Sequence, residues 1–423
     1  MTTTSPRTAD TGAPPARSVL RDPAFLRLWA GTTASGLATW ALPFVLGLAV
    51  LHRELGAAGL GLVLAARTAG FLAAVAVGGV LADRHSRRAV VLWSALAATL
   101  AAPLLAAGLG RSLVLMTAAA VLAGAGQGAC RPAFQALTAE TVAPERRQQA
   151  NAATTMAVRG STLAGPALTA LLAAFLDVRA LLLGIGLLWL VAALVPGRGT
   201  APAPATDADR APEAAPRAGF RAEFLEGIRE ARRHPWFLAG LAALVAVIAL
   251  GYSATSVALP LISRDRYGTE WVLAAAMTAY TVGALGGAVV IARWRPRSQG
   301  WAAFAGLSAY GVAPLSLMLP VHPVVVVAAY AVAGVGIELF NVPWFTATQR
   351  EVAPDKLARV SSLDFLVSYG LAPVGLAVIA PAIDWFGVTA VLAVCAAACL
   401  LVPAAAALVP TARHFARTPP AAD

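Results

Sequence analysis

Three charged side chains lie inside long apolar runs of this 423-residue chain: Glu338, Arg159 and Arg67. A charge at the centre of a bilayer costs about 2.5–3.5 kcal/mol on insertion scales, so such residues face a cavity, a partner or both. Glu338 falls roughly 22 Å into its run at helical rise, past the midplane. A carboxyl there can carry a proton or anchor a cation; its structural alternative is an acid hydrogen-bonded inside the bundle. Arg159 falls near mid-bilayer, while Arg67 is closer to one face, where a long side chain can snorkel. Either guanidinium could hold an acidic substrate or pair with Glu338 in one conformation. Asp364 begins another run, where a helix dipole stabilises an acid, and a structural role is expected for it.

Nothing in the sequence assembles a reactive site. His52, His85, His234, His322 and His414 fall at run ends or in loops and do not cluster. No glycine loop is followed by Lys and Ser/Thr to cradle a nucleotide, so ATP is not the expected energy source. Cys130, Cys395 and Cys399 have neither disulfide nor metal spacing. The expectation is therefore no enzyme, no cofactor and no metal. A proton gradient is the default energy source, since each charge moved gains about 2.3 kcal/mol per 100 mV.

The elements that must position these charges are membrane helices. Hydrophobic residues make up 59% of the chain and charged residues 13%, about half the charge of a soluble domain. Runs long enough to span, at roughly 20 residues each, occur near 25–50, 57–82, 89–109, 112–134, 149–176, 180–196, 236–262, 271–292, 300–320, 323–346, 361–384 and 387–410. Hydrocarbon requires every backbone group to be satisfied internally, and runs this continuous read as helices rather than barrel strands. The net charge of +11 orients them. Of 32 Lys and Arg, 25 lie on the side shared by both termini and 5 on the other. The positive-inside rule then places both termini in the cytoplasm. The basic charge faces anionic lipid headgroups, not nucleic acid. Residues 1–24 carry no cleavable signal pattern, and the first span is expected to be an uncleaved anchor.

The chain divides as an N-terminal tail (1–24), a six-helix unit (25–197), a cytoplasmic linker (198–235), a second six-helix unit (236–410) and a tail (411–423). The linker opens as a flexible Ala- and Pro-rich connector. It ends in Arg221 to Arg233, patterned for a short amphipathic helix with Phe220, Phe224, Leu225 and Ile228 toward lipid. The units echo each other at a constant offset of 210: Gly124 and Gly126 map to Gly334 and Gly336, Val142-Ala143-Pro144-Glu145 to Val352-Ala353-Pro354-Asp355, and Gly160 and Gly165 to Gly370 and Gly375.

Between the second and third runs lies Gly78-Gly79-Val80-Leu81-Ala82-Asp83-Arg84-His85-Ser86-Arg87-Arg88. Its pattern, G-x-x-x-D-R-x-x-R-R, resembles the loop between helices two and three of the major facilitator superfamily. That resemblance implies an all-α membrane fold of twelve helices in two parallel six-helix repeats, with substrate bound between them. It makes Asp83, beside Gly79, a latch that meets the N-terminal end of the eleventh helix at Ser361 and Ser362, with Arg131 as an additional partner. Arg84, Arg87 and Arg88 become anchors and hinges. Phe25-Leu26-Arg27-Leu28-Trp29, Ala150-Asn151-Ala152 and Arg359-Val360-Ser361-Ser362-Leu363-Asp364 resemble the branch holding enterobactin exporters and macrolide-efflux proteins. Gly165-Pro166 resembles the helix-five signature of proton-coupled exporters, although Ala167-Leu168-Thr169-Ala170 replaces its second glycine pair. The family lines its cavity with helices one, four, seven and ten, which here offer Trp40, Gln127, Tyr252, Ser253, Ser256, Asn341 and Trp344 beside Glu338. A mostly apolar pocket with a few polar groups suits an amphipathic organic molecule. The resulting expectation is a monomeric, proton-coupled exporter in a bacterial cytoplasmic membrane. Uptake or facilitated diffusion of an organic anion is the alternative, and a non-transporting sensor a remote one.

Overall fold

The computed structural model describes residues 18–196, 220–269 and 271–416, and they are helical, with no strand among the described residues. The first group of helices is α1 (Pro23–Leu51), α2 (Ala57–Arg84), α3 (Arg87–Gly108), α4 (Leu113–Thr141), α5 (Arg147–Leu172) and α6 (Val178–Leu194). A short α7 (Phe220–Arg232) precedes the second group. That group is α8 (Pro235–Asp265), α9 (Trp271–Arg293), α10 (Gln299–Met318), α11 (Pro323–Glu351), α12 (Leu357–Phe386) and α13 (Val388–Ala407). Each of the twelve apolar runs is thus occupied by helix. Nine helices among the described residues are long and apolar enough to cross a membrane. Not among these nine are α6, with 17 residues, α5, which carries more polar side chains, and α12. The connector proposed for 198–217 lies outside the described residues.

Local chemistry sets the ends. Asp22 Oδ1 accepts from Ala24 N ahead of Pro23, Ser112 caps α4 and Asp177 caps α6, each side-chain oxygen meeting one of the donors a helix leaves unpaired. Gly387, at φ +82°, turns the chain between α12 and α13, a conformation glycine adopts without strain. Several helices outrun the apolar runs that nucleate them. Both α4 and α11 have 29 residues, roughly 43 Å at helical rise against about 30 Å of hydrocarbon. Their overhang lies at the end that carries Arg84, Arg87, Arg147, Arg350 and Lys356, called the basic end below.

Small residues hold the bundle. Helix α4 packs on α2 and α3, and α11 packs equivalently on α9 and α10. A Cβ on Gly124 would sit 1.9 Å from the Arg67 carbonyl of α2, and one on Gly334 would sit 2.0 Å from the Tyr280 carbonyl of α9. Gly165 faces Trp40 and Ala41 of α1 in the way Gly375 faces Ala249 and Ser253 of α8. The offset of 210 is therefore a repeat of contacts as well as of letters. Gly160 and Gly370 share no such contact. Between the groups, α2 packs on α12, α5 on α9 and α11, and α4 on α12.

Candidate functional site

The charges of the apolar runs converge where α5 meets α11. Arg159 lies twelve residues into α5, roughly 18 Å from the basic end. Glu338 approaches from the opposite direction, fifteen residues into α11. Arg159 Nε donates to Glu338 Oε1 at 2.7 Å and Nη2 lies 2.6 Å from the same oxygen. Asn341, one turn along α11, reaches Oε2 at 3.5 Å, and the Tyr280 ring of α9 lies 5.9 Å from the guanidinium. The carboxylate side chain is 1% exposed and the guanidinium 24%. This pair joins the two helix groups at mid-membrane depth, as the sequence reading allowed for one conformation.

Arg67 departs from expectation. It does not snorkel. Its Nη2 turns inward, donating to Gln127 Oε1 of α4 at 2.7 Å and to the Thr39 carbonyl of α1 at 3.2 Å. Arg131, expected beside Asp83, instead donates to the Tyr369 hydroxyl of α12 at 2.8 Å, with its guanidinium 5.0 Å from that ring. Being one turn below Gln127, it belongs to the middle of α4 and not to the basic end.

At the basic end, the Asp83 carboxylate caps α12. Oδ1 accepts from Ala358 N at 3.1 Å, and Oδ2 from Arg359 N and Nε, both at 3.0 Å. Because α12 begins at Leu357, four residues before the expected start, the donors are Ala358 and Arg359 and not Ser361. Asp83 thus meets the N-terminal end of α12, but at Ala358 and Arg359 instead of the expected Ser361 and Ser362. Gly79 allows the approach, since a Cβ there would meet Ser362 Oγ at 2.6 Å and the Ala358 carbonyl at 2.8 Å. Arg87 donates to the Pro354 carbonyl across the groups and to Glu140 at 3.3 Å, while Arg88 caps α6 at the Ala193 carbonyl. Arg84 ends α2.

Further cross-group bonds extend this closure. Arg147 donates to the Gln349 carbonyl at 2.7 Å, Asn151 to Thr346 Oγ1 at 2.9 Å and to Gln349 Oε1 at 3.0 Å, and Gln349 to Gln135 at 3.0 Å. Among the described residues, hydrogen bonds between the groups run from this end to the level of Arg159, and none is found nearer the opposite end. Sequence reasoning picked out Asn151 and Arg359 only as parts of motifs and missed Gln135, Arg147 and Gln349; their positions beyond the apolar runs made them read as loop polarity.

The remaining expected site residues divide. Tyr252 and Trp40 are 42% and 37% exposed, and Tyr252 ends a π-helical segment, Ala246–Tyr252, a distortion frequent at functional sites. Trp344 is not a lining residue. It is buried and stacked on Phe237 at 4.7 Å and Phe340 at 5.3 Å. Asp364 is buried in the second turn of α12 beside Trp344 and Ser368, too deep to act on the helix terminus. Pro166 lies inside α5, just past Gly165. The three cysteines are free and buried.

The linker helix was expected on the lipid. Phe220's side chain lies outside what is described, and Leu225 is exposed, but the acidic face of α7 turns to α12. Glu226 Oε2 accepts from Arg359 Nη1 at 3.0 Å, and Glu230 Oε2 accepts from Lys356 Nζ at 3.2 Å. Burial alone would raise the Glu230 pKa, yet Lys356, Arg233 and His234 outweigh it and hold the carboxyl below its ordinary range. Lys356 is correspondingly held above its own: burial opposes the charge, but Glu230 and Glu226 prevail.

A sequence profile described as Major Facilitator Superfamily matches residues 28–375. No curated protein matches the sequence. Among solved structures, a bacterial homologue of the iron transporter ferroportin, in an outward-facing state with soaked iron, is similar at 17% identity and TM-score 0.68, covering 90% of this chain and 98% of that one. The human organic anion transporter MFSD10 (TETRAN) is similar at 18% identity and TM-score 0.66, covering 93% and 100%. At these identities the likeness is one of fold.

Proposed function

The chain belongs to the major facilitator superfamily, a family of transporters rather than enzymes, and on that premise we propose a secondary active transporter that works by alternating access. The buried Arg159–Glu338 pair between the two helix groups carries the reading. Taking both charges out of water is repaid only while the pair is closed, and separating the groups leaves each uncompensated. A proton on Glu338 neutralises one of the two charges and weakens the contact that holds the groups together. Proton arrival and the rocking of residues 25–197 against 236–410 are thereby linked. The basic end is the cytoplasmic one, following the distribution of Lys and Arg; closure there corresponds to an outward-facing state.

The cargo is a small amphipathic organic compound, held beside Tyr252, Trp40 and the mid-membrane charges. Export is the direction favoured by the resemblance of the Phe25–Trp29 and Arg359–Asp364 stretches to the efflux branch. The site works as a monomer in a bacterial cytoplasmic membrane, with lipid and protons as its other partners. In proteoliposomes with an imposed pH gradient, rhodamine 6G and carboxyfluorescein uptake or release should depend on the gradient in the unmodified protein and lose that dependence in Glu338→Gln. Gradient-driven movement that survives this substitution refutes the coupling role.

A further inference from the structure

The mid-membrane charges are unbalanced. Arg159 has Glu338, but Arg67 and Arg131 meet only neutral groups: Gln127 and the Thr39 carbonyl for one, the Tyr369 hydroxyl for the other. Among the described residues neither has a carboxylate partner. Arg67 is bonded to Gln127, one helical turn from Arg131 on α4, and the connections around the two guanidiniums form a ring. Arg67 of α2 bonds Gln127 of α4; Arg131 follows one turn along α4 and bonds Tyr369 of α12. The Tyr369 ring packs 5.0 Å from Phe71, one turn along α2 from Arg67. The ring spans both helix groups, at a level above the closed latch.

Two like charges held on neighbouring helices inside a bilayer are unfavourable without a counter-charge. Evolution of a bundle for stability alone removes them or supplies an acid. We propose that Arg67 and Arg131 form the recognition site for the acid group of an amphipathic organic anion, with the exposed face of Tyr369 receiving its apolar body. Guanidinium forks match the planar, two-oxygen geometry of carboxylate, sulfonate or phosphate groups. Tyr369 is 39% exposed and offers a ring and a hydroxyl together, the combination that suits a ligand apolar at one end and polar at the other. Arg159 stays with Glu338, so recognition and coupling are carried by different arginines. The inference rests on the transport reading for its purpose, though not for its geometry.

Full-length protein in lipid nanodiscs supplies the test, by fluorescence anisotropy with carboxyfluorescein (anionic) and rhodamine 6G (cationic) as probes of similar ring size. The anionic dye should bind at least about tenfold more tightly than the cationic one. Arg67→Gln and Arg131→Gln should each weaken it by about tenfold or more and leave rhodamine 6G binding unchanged or stronger. Arg67→Lys, which keeps the charge but not the fork, should fall between. If Arg131→Gln fails to fold, Tyr369→Phe reports on the same arm through a loss of a few-fold with the melting temperature preserved. Tighter binding of rhodamine 6G, or unchanged carboxyfluorescein affinity in both Arg→Gln variants, overturns the proposal. So does absence of binding by carboxyfluorescein and anilinonaphthalene sulfonate up to about 1 mM. Anion binding without movement of the dye in proteoliposomes would remove the transport reading and leave the site standing; movement with cation preference would do the reverse.

Discussion

Glu338 and Arg159 occupy positions where neither would be tolerated alone, and that mutual dependence is measurable. Removing one member of a buried pair strands the other, typically at about 3–5 kcal/mol, whereas replacing both with neutral groups is far less costly. Arg159→Gln and Glu338→Gln should therefore each lower the melting temperature of the detergent-solubilised protein. The double variant should recover most of the loss while remaining unable to couple transport to a pH gradient. A double variant less stable than either single one would show that the 2.6 Å contact contributes nothing in the membrane. Both residues were legible in the sequence because a charge in an apolar run has few explanations. Tyr280, which completes their surroundings, and Tyr369, beside Arg131, were not legible. An aromatic residue in such a run is by default packing, and only the fold shows that these rings face guanidiniums. Trp344 illustrates the same rule from the other side, since the sequence offered it to the cavity and the fold assigned it to the core.

At the scale of elements, α7 and the start of α12 behave as one unit, held by Glu226 and Glu230 on one side and Lys356 and Arg359 on the other. The Glu230 carboxyl is held below its ordinary range, so its contribution is complete above the free-glutamate value of about 4.3 and is lost as pH falls through the lowered one. Lys356 is held above its range; its contribution is complete below about 10.4 and is lost as pH rises through the raised value. A spin label at Leu225, on the exposed face of α7, should thus report an immobile helix across neutral pH and a mobile one only in strong acid or strong base. Lys356→Ala should mobilise it at pH 7. An immobile label in that variant would mean that the Arg359–Glu226 bond and packing dock the helix without Lys356. The sequence marked α7 as amphipathic and gave its apolar face to lipid, but it did not show that the acidic face meets α12, because amphipathicity does not name the partner of the polar face. The glycine echo was more informative, since a residue without a side chain is conspicuous only where backbones touch. Gly124→Val should accordingly part α4 from α2 and abolish stable expression, whereas Gly160→Ala, with open space around it, should be silent.

For the whole molecule, the decisive feature is asymmetry along the membrane normal: bonds between the halves crowd one end and are not found at the other among the described residues. Twelve helices could be anticipated from run lengths, and a contact of the Asp83 loop from the family resemblance, but which end is closed could not, because it depends on contacts between residues 275 positions apart. Alternating access requires that this closure be only marginally favoured over its opposite. Asp83 accepts three bonds as a charged group, and hydrogen bonds to charged groups contribute about 1.5–3 kcal/mol each. Asp83→Asn removes the charge and turns one acceptor into a donor facing other donors. A net loss of about 2–3 kcal/mol shifts the balance of states roughly 30- to 150-fold. Double electron–electron resonance between labels at Ser86 and Asp355 reads the basic end, and labels at Leu62 and Trp385 read the opposite end, all four being exposed. In the unmodified protein the first distance should be short and narrow. In Asp83→Asn a longer component should appear there, and the second distance should shorten in the same proportion of molecules. Reciprocity is the essential point. Fraying of the latch alone lengthens the first distance and leaves the second unchanged, and that outcome would mean the halves do not move as rigid bodies about the Arg159–Glu338 level.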